Sequence, residues 1–371
     1  MKSVSNDAKR IKGIIDNDVY IGPKRVNIHL NNYCNLNCIF CWYHSKLIRK
    51  RPSKNRNFDY NLLKDITDNC AEMGVDIVDL EGDGEPLLYP RIGELIKYIK
   101  GKSLKIKIYT NALFENFDLV NLRYVDYLDI NLSATTAETY AKVHANGEKS
   151  IFPRVLRNLN KISKIRKICK NPNVTLTFVI NELNYRELEK IIRLGDRFGF
   201  DRINFKMFEA TQDTAKIILK KDSIKEMIFL AKEALKKGYK ISNNLNDVSE
   251  ILKHKQLKKS YYINWGKKHN DRFFYFEGYP YKDHGCYVGW FAAYIDLDYR
   301  VVAPCDNVGI ATAGSINKKR FNDIWFSKKY KKIRQDAKDN LDINTKKWQE
   351  CKYCHNILFN QKINRVLKEK V

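Results

Sequence analysis

From Val26 the run VNIHLNN alternates apolar and polar residues, the period of two that a half-buried strand imposes. Further short β-branched runs follow: VDIVDLEG from Val75, KIKIYTNA from Lys105, YLDINLSA from Tyr127, VTLTFVIN from Val174 and RINFKMF from Arg202. Between them apolar positions fall at helical spacing, as in Leu62, Leu63, Ile66, Cys70 and Met73, and in Ile92, Leu95, Ile96 and Ile99. The same spacing runs through Leu156, Leu159, Ile162, Ile165 and Cys169, and through Leu188, Ile191 and Ile192. Strand then helix, repeated over 25–210, predicts an α/β fold of right-handed βαβ units around parallel strands, open or curled into a partial (β/α)6 barrel. Chemistry in such folds sits at the carboxyl ends of the strands.

Beyond that core the pattern changes. Residues 211–280 read as a linking segment, a charged helix (SIKEMIFLAKEALKKG) followed by an irregular aromatic stretch from Tyr261 to Tyr281. Past Cys286, WFAAYIDLDYRVVAPC holds two strand-like runs about a turn at Asp298 and Tyr299, which predicts a β-hairpin ending at Cys305. The expected division is an N-terminal arm at 1–24, a core at 25–210, the linking segment at 211–280, a small α+β domain with the hairpin at 281–357, and a basic tail at 358–371.

With 371 residues the chain is long enough to bury its own core. No apolar run is long enough for a signal peptide or a spanning helix, so a cytoplasmic location is expected. In a reducing compartment the nine cysteines do not read as a disulfide framework, which leaves metal binding, catalysis or packing. The net charge of +25 is spread diffusely. It fits either acidic partners (nucleotides, phosphorylated sugars, nucleic acid or an anionic membrane face) or a lysine-rich compositional bias, and without a nucleic-acid-binding repeat or fold nucleic acid is not the expected partner.

Chemistry concentrates after the first strand. Cys34, Cys38 and Cys41 form Cys-x3-Cys-x2-Cys, a poor match to the four ligands of a structural zinc site. A 4Fe–4S cube normally takes four cysteines, so a loop offering three leaves one iron open to an exchangeable ligand. Gly82-Asp83-Gly84-Glu85-Pro86 follows the second strand, Asn111 ends the third and Ser133 the fourth, all on the same predicted edge.

The cysteine loop, with Phe40 before its third thiol, resembles the signature of the radical S-adenosylmethionine (radical SAM) enzymes. The resemblance implies a 4Fe–4S cluster held by Cys34, Cys38 and Cys41, whose open iron chelates the methionine end of S-adenosylmethionine. It also implies that the glycine-rich stretch Gly82, Asp83, Gly84 and Glu85 holds the methionine ammonium, that Phe40 lies near the adenine, and that Asn111 and Ser133 contact the cofactor's ribose or carboxylate. Asn181, at the fifth strand's end, is a further contact or a turn former. His44 either faces the site or is a hydrogen-bonded loop histidine, and no residue stands out as a general base.

The second set is Cys286, Cys305, Cys351 and Cys354, with GSINKKRFNDIWFSKKYKKIR between. It is similar to the auxiliary-cluster domain of the SPASM/twitch group, in the shorter form with one auxiliary 4Fe–4S cluster. A zinc ribbon is the alternative for these four thiols. Cys70 and Cys169 belong to apolar stripes and read as core packing.

The resemblance implies reductive cleavage of S-adenosylmethionine to a 5′-deoxyadenosyl radical, hydrogen abstraction from substrate, and an auxiliary cluster that accepts an electron. The expected activity is oxidation or epimerisation of a sugar or aminocyclitol-type, or phosphorylated, small molecule, with a flavodoxin- or ferredoxin-type reductant. Peptide maturases of the group often carry an N-terminal recognition domain, for which a first strand near residue 25 leaves no room. A ribosomal-peptide maturase is kept as the alternative, and a non-enzymatic zinc protein binding nucleic acid is the rival from another class.

Overall fold

The computed structural model describes residues 5–48, 54–115, 117–145, 147–207, 212–248, 284–305, 311–342, 345, 348, 351 and 356–369. Cys354 and the aromatic stretch 261–281 lie outside the described residues. Six parallel strands form where the runs predict them: β1 (Arg25–His29), β2 (Ile77–Glu81), β3 (Lys105–Thr110), β4 (Tyr127–Asn131), β5 (Asn173–Ile180) and β6 (Arg202–Met207). They neighbour one another in chain order, as successive right-handed βαβ units require.

Period two decides what each face does. Val26 and Ile28, Val78 and Leu80, Ile106 and Ile108, Leu128 and Ile130 are buried in one core beneath the helices. After an N-terminal α1 (Asn6–Ile15), those helices include α2 (Tyr60–Glu72), α3 (Ile92–Gly101), α4 (Ala137–Val143), α5 (Ile151–Cys169), α6 (Leu188–Phe198) and α7 (Lys221–Lys236), of which α2, α3, α5 and α6 supply most of the covering side chains. The alternate residues, such as Asn27, Asp79, Lys107 and Asp129, face the inside of the partial barrel and pair there. Arg25 Nη2 lies 2.9 Å from Asp79 Oδ2, Lys107 Nζ 3.2 Å from Asp129 Oδ2, and Asn27 Nδ2 donates to Glu81 Oε1 at 2.8 Å.

The apolar stripe of α5 runs out before its end. Ile168 is 82% exposed and Cys169 is exposed at the helix terminus, so Cys169 is not the core residue its spacing predicts, whereas Cys70 is fully buried. The period of 3.6 continues past the point where the sheet stops supplying a surface to cover.

The predicted hairpin forms from β8 (Ala292–Ile295) and β9 (Arg300–Ala303), after a short β7 (Ser242–Asn243) beside β6. Asp296 accepts from the N–H groups of Asp298 and Arg300 to shape its turn. The pattern did not signal that β8 pairs in parallel with β1, aligning Arg25 with Ala292, nor that β10 (Ala311–Ser315) extends the hairpin. Among the described residues one ten-stranded sheet results, in which the C-terminal region continues the core.

Helices α8 (Val288–Phe291), α9 (Phe321–Trp325), α10 (Lys328–Asp339) and α11 (Ile357–Lys368) complete that region. The buried Arg334 of α10 joins three of them, donating to the carbonyls of Gly289 and Trp325 with its guanidinium against the Trp325 and Tyr330 rings. The N-terminal segment is helical, and Ile11 and Ile14 of α1 pack against Tyr287, Trp290 and Ile363.

At the carboxyl edge, the turn after β2 is sewn onto the loop after β1. Gly84 N donates to Asn31 O at 3.0 Å, Glu85 N to Tyr33 O at 2.9 Å, and Asn31 Nδ2 to Glu85 O at 2.9 Å. A Cβ on Gly84 would lie 2.2 Å from Tyr33 O and one on Gly82 2.8 Å from Asn31 O, so only glycine permits this approach. The buried Glu85 carboxylate accepts from Thr110 Oγ1, Asn111 N and Leu87 N, tying in the end of β3.

Gly84→Ala is expected to destabilise the chain by about 1–3 kcal/mol and to reduce iron uptake on anaerobic reconstitution. Gly101→Ala, whose Cβ meets open space, is expected to change neither thermal midpoint nor iron content. Burial pushes the Glu85 carboxyl up to about 7, against the hydrogen bonds that pull it down. Its native form therefore holds a proton more tightly than the unfolded chain does, and stability is lost as pH rises from the ordinary carboxyl range toward 7. Urea midpoints of the metal-free chain at pH 5 and pH 7 should show this slope, roughly 3 kcal/mol at most, and Glu85→Gln should remove it.

Candidate functional site

The three thiols of the first set lie on the loop that leaves β1 and packs against the last turn of α4. Asn37 N and Ile39 N donate to the carbonyls of His144 and Val143, which fixes the loop's middle. Cys34, Cys38 and Cys41 are partly buried and none of the described cysteines is in a disulfide. Burial foremost pushes each thiol up, Cys34 to about 12, with Cys34 and Cys41 adding to the effect on Cys38. Uncomplexed thiols in this setting stay protonated at neutral pH and are inert, and only metal coordination would stabilise their thiolates.

Each sulfur has an N–H donor nearby. Asn111 Nδ2 lies 3.6 Å from Cys34 Sγ, His144 Nδ1 3.0 Å from Cys38 Sγ, and the backbone N–H groups of Tyr43 and His44 point at Cys41 Sγ. Among the described residues no three His, Cys, Asp or Glu side chains converge as ligands of a single ion. A cube instead needs its thiolates set apart by its own width, and a ring of N–H donors is what coordinated sulfurs require. Three thiols, each with an N–H donor beside it, are the donor set that such a cube would take at three corners.

The remaining predicted positions divide by what they touch. Gly82 and Gly84 make their close approach to the cysteine loop itself. The carbonyl of Asp83 bonds His44 Nε2 at 2.7 Å, so His44 ties the two loops together, and the Asp83 carboxylate lies 3.2 Å from His29. Asn111 bridges Asn35 Oδ1 and Cys34. Phe40 sets its ring edge-on to His144 at 5.5 Å. Ser133 is fully buried, its hydroxyl engaged with Asn131 and Val179 N, and it reaches the site through its backbone N–H, which donates to His144 Nε2 at 2.9 Å. Asn181 shapes its own turn, receiving Leu183 N and bonding Val179 O.

His144 is the site residue that sequence reasoning missed. A single histidine at a helix end has no spacing partner, and only the fold brings it to a cysteine more than a hundred positions earlier.

Of the second set, Cys286, Cys305 and Cys351 share one buried cluster with Tyr294, Ala337 and Trp348. Cys286 N donates to Ala337 O at 2.8 Å and Asn360 Nδ2 lies 3.8 Å from its sulfur. A Cβ on Gly285 would fall 1.8 Å from Lys338 O, so glycine is what lets Cys286 close against α10.

Between the cysteine loop and the hairpin lies a cavity of about 440 Å³, bordered by His29, Tyr43, Asp83, Arg56, Asp298 and Arg300. No described helix is long and apolar enough to cross a membrane.

Comparison with known proteins bears on this arrangement. A family model described as the radical SAM superfamily matches residues 28–195, and one described as an iron–sulfur cluster-binding domain, SPASM, matches residues 286–355. Mycofactocin maturase MftC of Mycobacterium tuberculosis is 27% identical over 169 residues, 45% of this chain and 40% of that protein. An S-adenosylmethionine-dependent nucleotide dehydratase of Flammeovirga pacifica is 29% identical over 130 residues, 34% of this chain and 44% of that protein. The matches thus span less than half the length of these relatives.

Among solved structures, Streptococcus suis SuiB bound to S-adenosylmethionine aligns with a TM-score of 0.62 at 15% identity, covering 96% of this chain and 79% of that one. SuiB bound to its precursor peptide SuiA aligns at 0.60, covering 89% of this chain and 70% of that one. At such identity the likeness shows the fold. The two matched domains imply a 4Fe–4S cluster, S-adenosylmethionine and an auxiliary iron–sulfur cluster as cofactors. One family model covers the strands that carry the three-thiol loop and the other the hairpin with the second cysteine set, and the chain belongs to the radical SAM superfamily, in its group with a SPASM iron–sulfur domain.

Proposed function

We propose that this radical SAM enzyme removes a hydrogen atom from a polar small molecule of the sugar or aminocyclitol kind and carries it to an oxidised or epimerised product. In this reading 25–210 form the catalytic core and 281–357 the auxiliary domain. Cys34, Cys38 and Cys41 hold the first cluster, and Cys286, Cys305, Cys351 and Cys354 the auxiliary one. Gly82, Asp83, Gly84 and Glu85 present backbone and charge to the cofactor's methionine end, with Phe40, Asn111 and Ser133 supporting the same pocket.

When bound, the first cluster and S-adenosylmethionine supply a carbon radical that takes hydrogen from the substrate, and the auxiliary cluster supplies an acceptor for the electron that oxidation releases. The chain's own residues bind and orient. The observation that carries the substrate class is the lining of the inner face next to the cysteine loop. There Asn27, His29, Glu81 and Asp83 present paired donors and acceptors beside a cavity of about 440 Å³, a volume suited to a small hydroxylated ligand. An apolar substrate would displace water from these polar groups without replacing its hydrogen bonds, which disfavours one.

A ribosomal peptide is the second reading, favoured by the fold likeness to SuiB, which was solved with its precursor peptide, and by the match to the maturase MftC. The reducing cytoplasm and a flavodoxin- or ferredoxin-type donor suit both readings, since exposed clusters and thiolates survive there.

Anaerobically reconstituted protein should hold iron and sulfide for two cubes, whereas stoichiometric zinc without sulfide would support a zinc protein instead. Cys38→Ala is expected to abolish reductive cleavage of S-adenosylmethionine. Cys351→Ala should leave that cleavage measurable and stop substrate turnover, and normal turnover would remove the auxiliary site from the mechanism. Among candidate substrates, sugar nucleotides and aminocyclitols should stimulate 5′-deoxyadenosine formation. Stimulation by peptides alone would overturn the small-molecule reading.

A further inference from the structure

We propose that His144 is a positioning residue for the first cluster, its Nδ1–H donating to the Cys38 sulfur and so setting how readily that cluster accepts an electron. The inference rests on reading Cys34, Cys38 and Cys41 as cluster ligands. It goes beyond that reading because it assigns a role to a residue outside every motif in the chain.

The geometry fixes the proton. Ser133 N, a backbone group that can only donate, lies 2.9 Å from His144 Nε2, so Nε2 is the acceptor. In a neutral imidazole the proton then sits on Nδ1, which lies 3.0 Å from Cys38 Sγ. The ring is fully buried, and its Nε2, which accepts from Ser133 N, carries no proton, so the imidazole is neutral. It cannot swing away. Tyr140 stacks on one face at 4.7 Å, Phe40 meets it edge-on at 5.5 Å, and Tyr140 is itself held by Phe152. The backbone is pinned too, because His144 O and Val143 O receive the loop's own Asn37 and Ile39 N–H groups.

An N–H aimed at a cysteinyl sulfur stabilises the more negative, reduced form of a cluster and raises its potential. The three sulfurs are not equivalent in this respect. Cys41 is served by backbone donors, which side-chain exchanges other than to proline leave in place, and Cys34 by Asn111 at 3.6 Å. The 3.0 Å bond from His144 is the short side-chain donor of the set. Helix α4 therefore delivers both the clamp on the loop and the donor to its middle ligand.

Two isosteres separate the two ends of the ring. His144→Asn places an amide N–H near the Nδ1 position and gives up the acceptor for Ser133. His144→Gln does the reverse, and His144→Leu removes both. The full-length chain, reconstituted anaerobically with iron and sulfide, is titrated reductively and followed by EPR, the first cluster being identified as the signal that changes when S-adenosylmethionine is added. His144→Gln and His144→Leu are expected to lower the reduction equilibrium constant about tenfold, about 59 mV for a one-electron couple, with His144→Asn restoring most of it. Equal potentials in wild type and His144→Leu, an equal fall in the Asn and Gln variants, or loss of iron from all three would overturn the inference. A wild-type protein with no cofactor-responsive signal would instead overturn the ligand reading beneath it.

Discussion

The carboxylate of Glu85 and the backbone on either side of it hold three strand ends in one place. Through Tyr33 O and Asn31 O the turn after β2 is bonded to the cysteine loop, and through Thr110 and Asn111 it is bonded to the end of β3. Asn111 then reaches the Cys34 sulfur. A buried carboxyl is a costly group to place, and here its three donors make it a brace between strand ends. Without it the loop carrying the thiols would be a long excursion from β1, with its conformational entropy unopposed. The glycines at 82 and 84 belong to the same brace, because they let two backbones touch.

That brace explains how one sheet supports two cysteine sets. β1 is flanked by β2 on one side and by β8 on the other, so the loop leaving β1 lies between the glycine turn and the hairpin. The cavity beside His29 opens between the same elements. The polar inner face follows from the alternation that built the strands, since every second residue had to turn away from the helices. Charges buried there are tolerated because they are paired, as Arg25 is with Asp79 and Lys107 with Asp129.

Much of this was legible in the sequence. Parallel strands announce themselves by short β-branched runs between helical stripes, and all six core strands lie where their runs are. The cysteine spacing carried the first site, because three thiols within eight residues need no long-range information to be seen together. What the sequence withheld depends on contacts between distant segments. His144 has no local partner that would mark it. The parallel pairing of β8 with β1 joins residues far apart in the chain, and a four-residue strand gives no pattern from which a partner could be chosen. Ser133 was legible as a strand end, but its hydroxyl proved to be occupied by Asn131 and Val179 while its N–H serves His144. Cys169 shows the converse failure, a periodic position that lies beyond the surface it was expected to cover.

A first cluster held by only three sulfurs would leave one iron unlike the other three. Mössbauer spectroscopy tests it most directly, on the Cys286→Ala/Cys351→Ala double variant reconstituted with iron-57 and sulfide so that the first site alone contributes. Addition of S-adenosylmethionine should shift the parameters of one iron in four toward higher coordination and leave the rest unchanged. A spectrum indifferent to the cofactor, with all four irons equivalent before and after, would contradict the account.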